Sequence, residues 1–314
     1  MSSTVGDVSA PRSRARRVGG LAAGLLVLLF LAAAVIGGWD SIESYDWQLE
    51  APFLAVAVTA AVASLALNGL GYVLLVERVG GRPVPRRRLL SIWSQSVLAR
   101  YVPGNVMMVA ARVVLGREAG VSGRASLAAS VYEQVLTLGV GAVGAVALLA
   151  GGGDPGDPWL WAVAFVPAGL VLLHPRVFER VSTAVFRRIG RAPLDYFLSM
   201  RQVVLFAGLY AAATGLMAVA AWATVRSLAG PEAGGVLLVG SAFLLSYVVS
   251  MIAFVFPSGI GVREGVLALV LARNLPGGVA VAAATATRLV LTFVEIAFTA
   301  AVVAYDRRRR DRLR

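Results

Sequence analysis

Apolar residues in this chain fall into long runs, at 18–36, 53–76, 126–150, 159–173, 202–225 and 279–305, separated by short polar stretches. A hydrocarbon core about 30 Å thick needs about 20 apolar residues per crossing helix, so each run reads as a membrane span. Two further apolar segments are broken near their middles. In 89–115 the interruption is Pro103-Gly104-Asn105, and in 236–272 it is Pro257-Ser258-Gly259-Ile260-Gly261, followed by Arg263-Glu264. Proline removes a backbone donor and glycine admits a reversal, so both segments are predicted to be helical hairpins.

Charge sets the sidedness of these elements. Arg12, Arg14, Arg16 and Arg17 precede the first run, and Arg78, Arg82 and Arg86 to Arg88 follow the second. Arg117 and Arg124 precede the third run, Arg176, Arg180, Arg187, Arg188, Arg191 and Arg201 lie between the fourth and fifth, and the chain ends in RRRRDRLR. By contrast, the stretch 39–50 carries Asp40, Glu43, Asp46 and Glu50 with no basic residue, and GGGDPGDP carries Asp154 and Asp157. Arginine-rich loops face the cytoplasm. All these signs agree when 89–115 enters and leaves from the cytoplasmic side and 236–272 enters and leaves from outside. The expected architecture is an all-α polytopic membrane protein of six full transmembrane helices plus two oppositely oriented re-entrant hairpins. Its parts are a basic cytoplasmic tail at 1–17, a first transmembrane repeat at 18–150, a second at 151–305 and a basic cytoplasmic tail at 306–314. The first run is long for a signal peptide and reads as an uncleaved span. Val177, Val181, Val185 and Ile189 recur every four residues beside Arg180, Arg187 and Arg188, a pattern that fits either an interfacial helix on anionic lipid or a basic loop.

Composition narrows the chemistry. The 314 residues are 58% hydrophobic and 15% charged, which excludes an ordinary soluble globular protein. All 29 basic residues are arginine, cysteine is absent and histidine occurs once. Disulfide frameworks, Cys/His metal sites, Walker A loops and Schiff-base chemistry are therefore excluded, and no metal or cofactor is expected. The net charge of +12 sits in clusters flanking the apolar runs, so it orients the chain in a membrane and does not form a nucleic-acid-binding face. The single His174 precedes Pro175 at a span end and reads as a loop residue. With no nucleophile and base in a recognisable pair, the chain is not expected to be an enzyme.

Each half reads as span, span, hairpin, span, and three crossings per half invert the second half relative to the first, as in many transporters. At an offset of 155, Ala128, Ala129, Ser130, Val135, Leu136 and Thr137 face Ala283, Ala284, Thr285, Val290, Leu291 and Thr292, and Glu133 falls opposite Arg288. A buried Glu133–Arg288 ion pair joining the halves is one expectation from this alignment. Irregular backbone at membrane depth is tolerated where protein buries it or water wets it, so two hairpin tips imply a polar cavity. Arg100, Arg112, Glu133, Arg263, Glu264, Arg288 and Glu295 lie in or near that zone. Each charge there costs about 2.5 to 3.5 kcal/mol on insertion scales and marks a functional site by default. Arg100 and Arg112 also admit a reading as snorkelling side chains near the interface. The half-helices beginning after Gly104 and Gly261 would each aim about +0.5 charge inward, and four arginines against three glutamates tilt the same way, toward an anionic group. Carbonyl ends of the incoming half-helices leave a coupling cation open as the alternative.

Two stretches, RYVPGNVMMVAARVVLGREAGVSGRASLAASVYEQ at 100–134 and FPSGIGVREGVLALVL at 256–271 with Arg288 after it, resemble the transmembrane region of lysylphosphatidylglycerol synthases and the stand-alone flippase-like membrane proteins related to it. The resemblance covers roughly 89–149 and 236 to the C-terminus. It implies a multi-pass cytoplasmic-membrane protein that translocates or handles anionic, aminoacylated or glycosylated lipids. The motif positions carried over are Pro103, Gly104, Arg112, Glu133, Gly259, Gly261, Arg263, Glu264 and Arg288. The chain departs from the usual pattern at Asn105, where an acidic or small residue tends to follow Pro-Gly, and at Gln134, which replaces an arginine. The soluble transferase domain of the synthases is not in the sequence, so no synthase activity is expected. The leading expectation is a lipid translocator whose substrate-binding residues are Arg112, Glu133, Arg263, Glu264 and Arg288. Its hairpin tips are Pro103, Gly104, Asn105, Pro257, Ser258, Gly259 and Gly261. A secondary transporter of a small soluble anion, or a non-catalytic partner of a lipid-modifying enzyme, is the alternative.

Overall fold

The structure is a computed structural model, and it describes residues 36–37, 39–79, 83–101, 107–150, 175–188, 197–252 and 261–312. Every regular element among them is helical. In chain order they are α1 (Trp39–Glu43), α2 (Ala51–Val79), α3 (Arg86–Leu98) with a 3-10 turn at Ala99–Tyr101, α4 (Met107–Glu118) and α5 (Gly123–Ala150). The second half holds α6 (Pro175–Arg188), α7 (Met200–Ala229), a 3-10 turn at Pro231–Ala233, α8 (Val236–Ile252), α9 (Val262–Leu271) and α10 (Gly277–Asp311).

Among the described residues four helices are long and apolar enough to cross a membrane: α2, α5, α7 and α10. They are the expected runs at 53–76, 126–150, 202–225 and 279–305, each extended by a few residues because polar caps and terminal arginines continue the helix. Ser199 starts α7 in this way, its hydroxyl accepting from the Gln202 amide while the Gln202 side chain accepts from the Ser199 amide. Arg308, Arg309 and Arg310 sit in the last turn of α10, where positive charge favours the helix dipole. The expected spans at 18–36 and 159–173 lie outside the described residues apart from Ile36. So do the breaks holding Pro103, Gly104, Asn105, Pro257, Ser258 and Gly259, whereas Gly261 is described, with φ of 81° at the start of α9. The stretch 175–188, for which helix and loop were both open, is a helix with Arg176, Arg180, Arg187 and Arg188 exposed.

Helix packing relates the two halves element by element. In each broken segment the two flanking helices lie against each other, α3 against α4 and α8 against α9. The short returning helix then packs on the next long one, α4 on α5 and α9 on α10. Across the halves α2 lies against α7, α3 against α10 and α8 against α5. One end of the bundle ties α1 and its acidic neighbours to the end of α7. Arg226 pairs with Glu50 and lies 4.6 Å over the Phe53 ring, and the Tyr45 hydroxyl donates to the Ala229 carbonyl at 2.7 Å. Burial, and after it the neighbouring Glu232, raise the Tyr45 phenol above its ordinary value, so it stays a donor. At the other end the buried Asp306 of α10 faces Arg88 at 3.4 Å and Arg310 at 3.3 Å.

Close approach of α2 and α7 depends on Gly71. A Cβ there would stand 2.8 Å from Cζ and Oη of Tyr210, a fully buried ring that has nowhere to move. Gly71→Val is expected to destabilise the purified protein by about 1–3 kcal/mol, read as a lower midpoint on thermal unfolding in detergent. Gly208→Ala on the open face of α7, where no atom lies within 4 Å, is the matched control.

Candidate functional site

Helices α2 to α5 and α7 to α10 line a cavity of about 120 Å³. Its wall is two-sided in character. Leu65, Val97, Met217, Phe243 and Leu291 line it together with Asn68, Arg100, Tyr101, Glu133, Gln134, Tyr247, Arg263, Arg288 and Glu295. A void of this size holds several waters or one compact polar group.

The first half contributes a closed ion pair. Arg112, on α4, is fully buried and grips Glu133 of α5 with both terminal nitrogens, Nη1 to Oε2 at 2.9 Å and Nη2 to Oε1 at 2.8 Å. Its Nε donates to Ser96 Oγ at 2.9 Å and its guanidinium lies 4.7 Å from the Tyr72 ring centre. Trp93 Nε1 adds a third donor to Glu133, at 3.1 Å. Burial of an arginine is tolerated when its fork matches a carboxylate and its remaining donors are met, as here. This corrects two expectations: Arg112 does not snorkel, and Glu133 takes Arg112 as its partner where Arg288 had been expected.

The second half repeats the pair with the charges exchanged. Glu264, on the short helix α9, is buried, accepts from the Gly261 amide at 2.6 Å and faces Arg288 Nε of the long helix α10 at 3.5 Å. Glu133 on α5 and Arg288 on α10, which face each other at the offset of 155, thus hold corresponding places in the two pairs. Each draws its counter-charge from the short helix of its own half.

A third group joins the halves; Arg100 and Glu295 were expected in the charged zone but not among the substrate-binding residues, and Tyr101 was not singled out. Arg100 and Tyr101, on the turn after α3, both reach Glu295 of α10, Arg100 as an ion pair and Tyr101 through its hydroxyl at 2.8 Å. Tyr101 Oη also lies 3.1 Å from Thr292 Oγ1, and its ring lies 5.5 Å from the Arg288 guanidinium. The acid-and-base spacing along α10, Arg288 then Thr292 then Glu295, puts all three on one helical face, a signal present in the sequence.

Arg263 completes the wall on different terms. Its Nε donates to Ser250 Oγ at 3.0 Å and its guanidinium lies 4.7 Å from the Tyr247 ring centre. Among the described residues no carboxylate oxygen comes within 4 Å of it; Arg288 and Arg100 act on it as like charges and Glu295, farther off than 4 Å, as an opposite one. Of the five expected substrate-binding residues, the structure thus places Arg263, Arg288 and Glu133 on the cavity wall and keeps Arg112 and Glu264 behind it as counter-charges. No group of three or more acidic or histidine side chains suited to a metal ion occurs among the described residues.

Long apolar helices around a charged interior cavity define an integral membrane protein of the multi-pass class. The chain belongs to the lysylphosphatidylglycerol synthase TM region family, whose model matches residues 17–298. No curated protein matches the chain.

Proposed function

We propose that the protein is a translocator of lipids with an anionic headgroup in the cytoplasmic membrane. The observation that carries this reading is Arg263, a guanidinium on the cavity wall with no carboxylate within 4 Å among the described residues, on the same wall as Arg288 and Arg100. An anionic phosphate is the ligand that geometry suits, because arginine offers it forked hydrogen bonds. Family membership supports a role in lipid handling.

In this reading the two folded-back segments are re-entrant hairpins of opposite orientation, and the halves form an inverted repeat. The matched packing of α3 on α4 and α8 on α9, with the charge-exchanged pairs behind the cavity, supports it. Both termini then lie in the cytoplasm, and the substrate crosses as the hairpins alternate in exposure. The protein performs no covalent chemistry and works beside a separate lipid-modifying enzyme.

The test is transport in proteoliposomes. Arg263→Ala and Arg288→Ala are each expected to abolish movement of the lipid while the variant still inserts and extracts as a folded species; full activity in both would sink the site. Sidedness has its own readout, because the cysteine-free chain takes single reporters. Asn105→Cys should be labelled from the cytoplasm and Ser258→Cys from outside, and the reverse pattern would refute the opposed hairpins. The small volume of the cavity favours one competing reading, a transporter of a small soluble anion. Lipid retained through purification by the wild type and lost from the Arg263→Ala variant separates the two.

A further inference from the structure

We infer that the cavity wall formed by α2, α5 and α7 binds hydroxyl groups of the substrate. The ligand class is a phosphoester whose headgroup carries a short polyol or a sugar, which rests on the translocator reading above and adds to it the uncharged end of the headgroup. Asn68 of α2, Gln134 and Thr137 of α5 and Thr214 of α7 line this side of the cavity without bringing a charge. The arginines come from other elements, Arg100 from the turn after α3, Arg263 from α9 and Arg288 from α10. Glu133, the charge that α5 brings to the cavity, is already held by Arg112 and Trp93.

Thr214 is the residue that points to a ligand. It is 6% exposed, and its Oγ1 has no hydrogen-bond partner. A threonine inside a helix can satisfy its hydroxyl on the carbonyl four residues back. Thr224 does so on Ala220, Thr285 on Val281 and Thr287 on Ala283, each at 2.8 Å. Thr214 lacks that bond and stands at the cavity. A buried hydroxyl left unpaired costs stability, and a polar group within the cavity is what can meet it. Asn68 is fixed beside it by a bond from Nδ2 to the Ser64 carbonyl at 3.0 Å, while Ser64 Oγ donates to the Ala213 carbonyl at 2.7 Å and so fastens α2 to α7. That orientation leaves the Asn68 carbonyl oxygen for another donor. Gln134 and Thr137 lie three residues apart on one face of α5. Threonine hydroxyls and carboxamides both donate and accept, as the hydroxyls of a polyol do, whereas an ionised phosphate only accepts and an ammonium only donates.

The experiment is a binding titration of the purified full chain in neutral detergent with two pairs of probes. Dihexanoyl phosphatidylglycerol and dihexanoyl phosphatidylpropanol carry the same charge and differ only in hydroxyls; glycerol phosphate and propyl phosphate are their soluble counterparts. The glycerol lipid is expected to bind about tenfold or more tightly than the propanol lipid. Thr214→Val, which removes the oxygen and keeps the branched shape, should shrink that gap to about threefold or less, and Thr214→Ser should keep it. Thr214→Val should also unfold at the wild-type temperature or above it, because an unpaired buried hydroxyl is gone. A gap unchanged in Thr214→Val would show that its hydroxyl takes no part in binding and would overturn the assignment. Equal binding of the two lipids by the wild type would mean that the wall holds only water, and would overturn the inference while the anionic-lipid reading stands. Preference for glycerol phosphate over propyl phosphate, with neither lipid bound, would uphold the subsite and overturn the lipid reading alone. A folded wild type that binds none of the four would overturn both.

Discussion

Arg112→Ala is expected to cost the protein about 3–5 kcal/mol, the largest loss of stability from any single change in the cavity region. The reason lies in what remains after the guanidinium is gone. Glu133, itself buried, would keep the Trp93 donor and lose two charge-assisted bonds, and Ser96 would lose its Nε donor. A carboxylate in such a place either stays charged at the full desolvation cost or takes up a proton, and both weaken the folded state. The measurement is the unfolding midpoint in detergent, with yield from membranes as a coarser readout. A paired change tests the cause: Arg112→Met with Glu133→Leu removes both charges together and should recover most of the loss, since buried ion pairs are often replaceable by apolar groups of similar size. A single variant as stable as wild type would mean that the pair does not form.

The long helices were legible because hydropathy is a property of composition and needs no knowledge of neighbours. Runs at 53–76, 202–225 and 279–305 matched α2, α7 and α10 to within a few residues where caps and charged turns extended them. Partnership between charges was not legible in the same way. Aligning the halves placed Glu133 opposite Arg288, but alignment identifies equivalent positions, and equivalent positions touch only near a symmetry axis. A better signal was available in the short stretch 119–122 between α4 and α5. A tight turn folds the two helices antiparallel, so residues at similar distances from it come level, and Arg112 and Glu133 differ by only about one helical turn in that count. Glu295 was visible as an intramembrane acid, yet its role needed the structure, because Arg100 and Tyr101 reach it from nearly two hundred positions away.

The two closed pairs and the third group divide six of the seven charges by task, with Arg263 outside them. Arg112 with Glu133 and Glu264 with Arg288 each join a short helix to the long helix after it, so they brace one half apiece. Of these three groups only the Arg100 and Glu295 pair crosses between halves at the cavity, with Arg226–Glu50 and Arg88–Asp306 joining them at the two ends of the bundle, and in the proposed translocator the cavity pair is the bond that opening would have to break.

Glu295→Gln and Glu295→Ala are therefore expected to change transport in a way that separates charge from tether. Either change removes a negative charge from the cavity wall and leaves the arginines at full strength there. At an effective dielectric of 20 a charge 4 Å away is worth about 4 kcal/mol, an upper bound here because the Arg100 side chain is 26% exposed. An anion held that much more firmly leaves more slowly, so both variants should show a lower KM and a turnover reduced by about tenfold or more. They differ in the tether. Glutamine still offers Tyr101 an acceptor where the carboxylate accepted at 2.8 Å, whereas alanine leaves the turn after α3 unfastened from α10. Hydrogen exchange across 94–101 should accordingly rise in the alanine variant and stay near wild type in the glutamine one. A raised KM in the glutamine variant would show that Glu295 helps to bind the substrate, and would overturn the view that its negative charge weakens the hold of the wall on an anion.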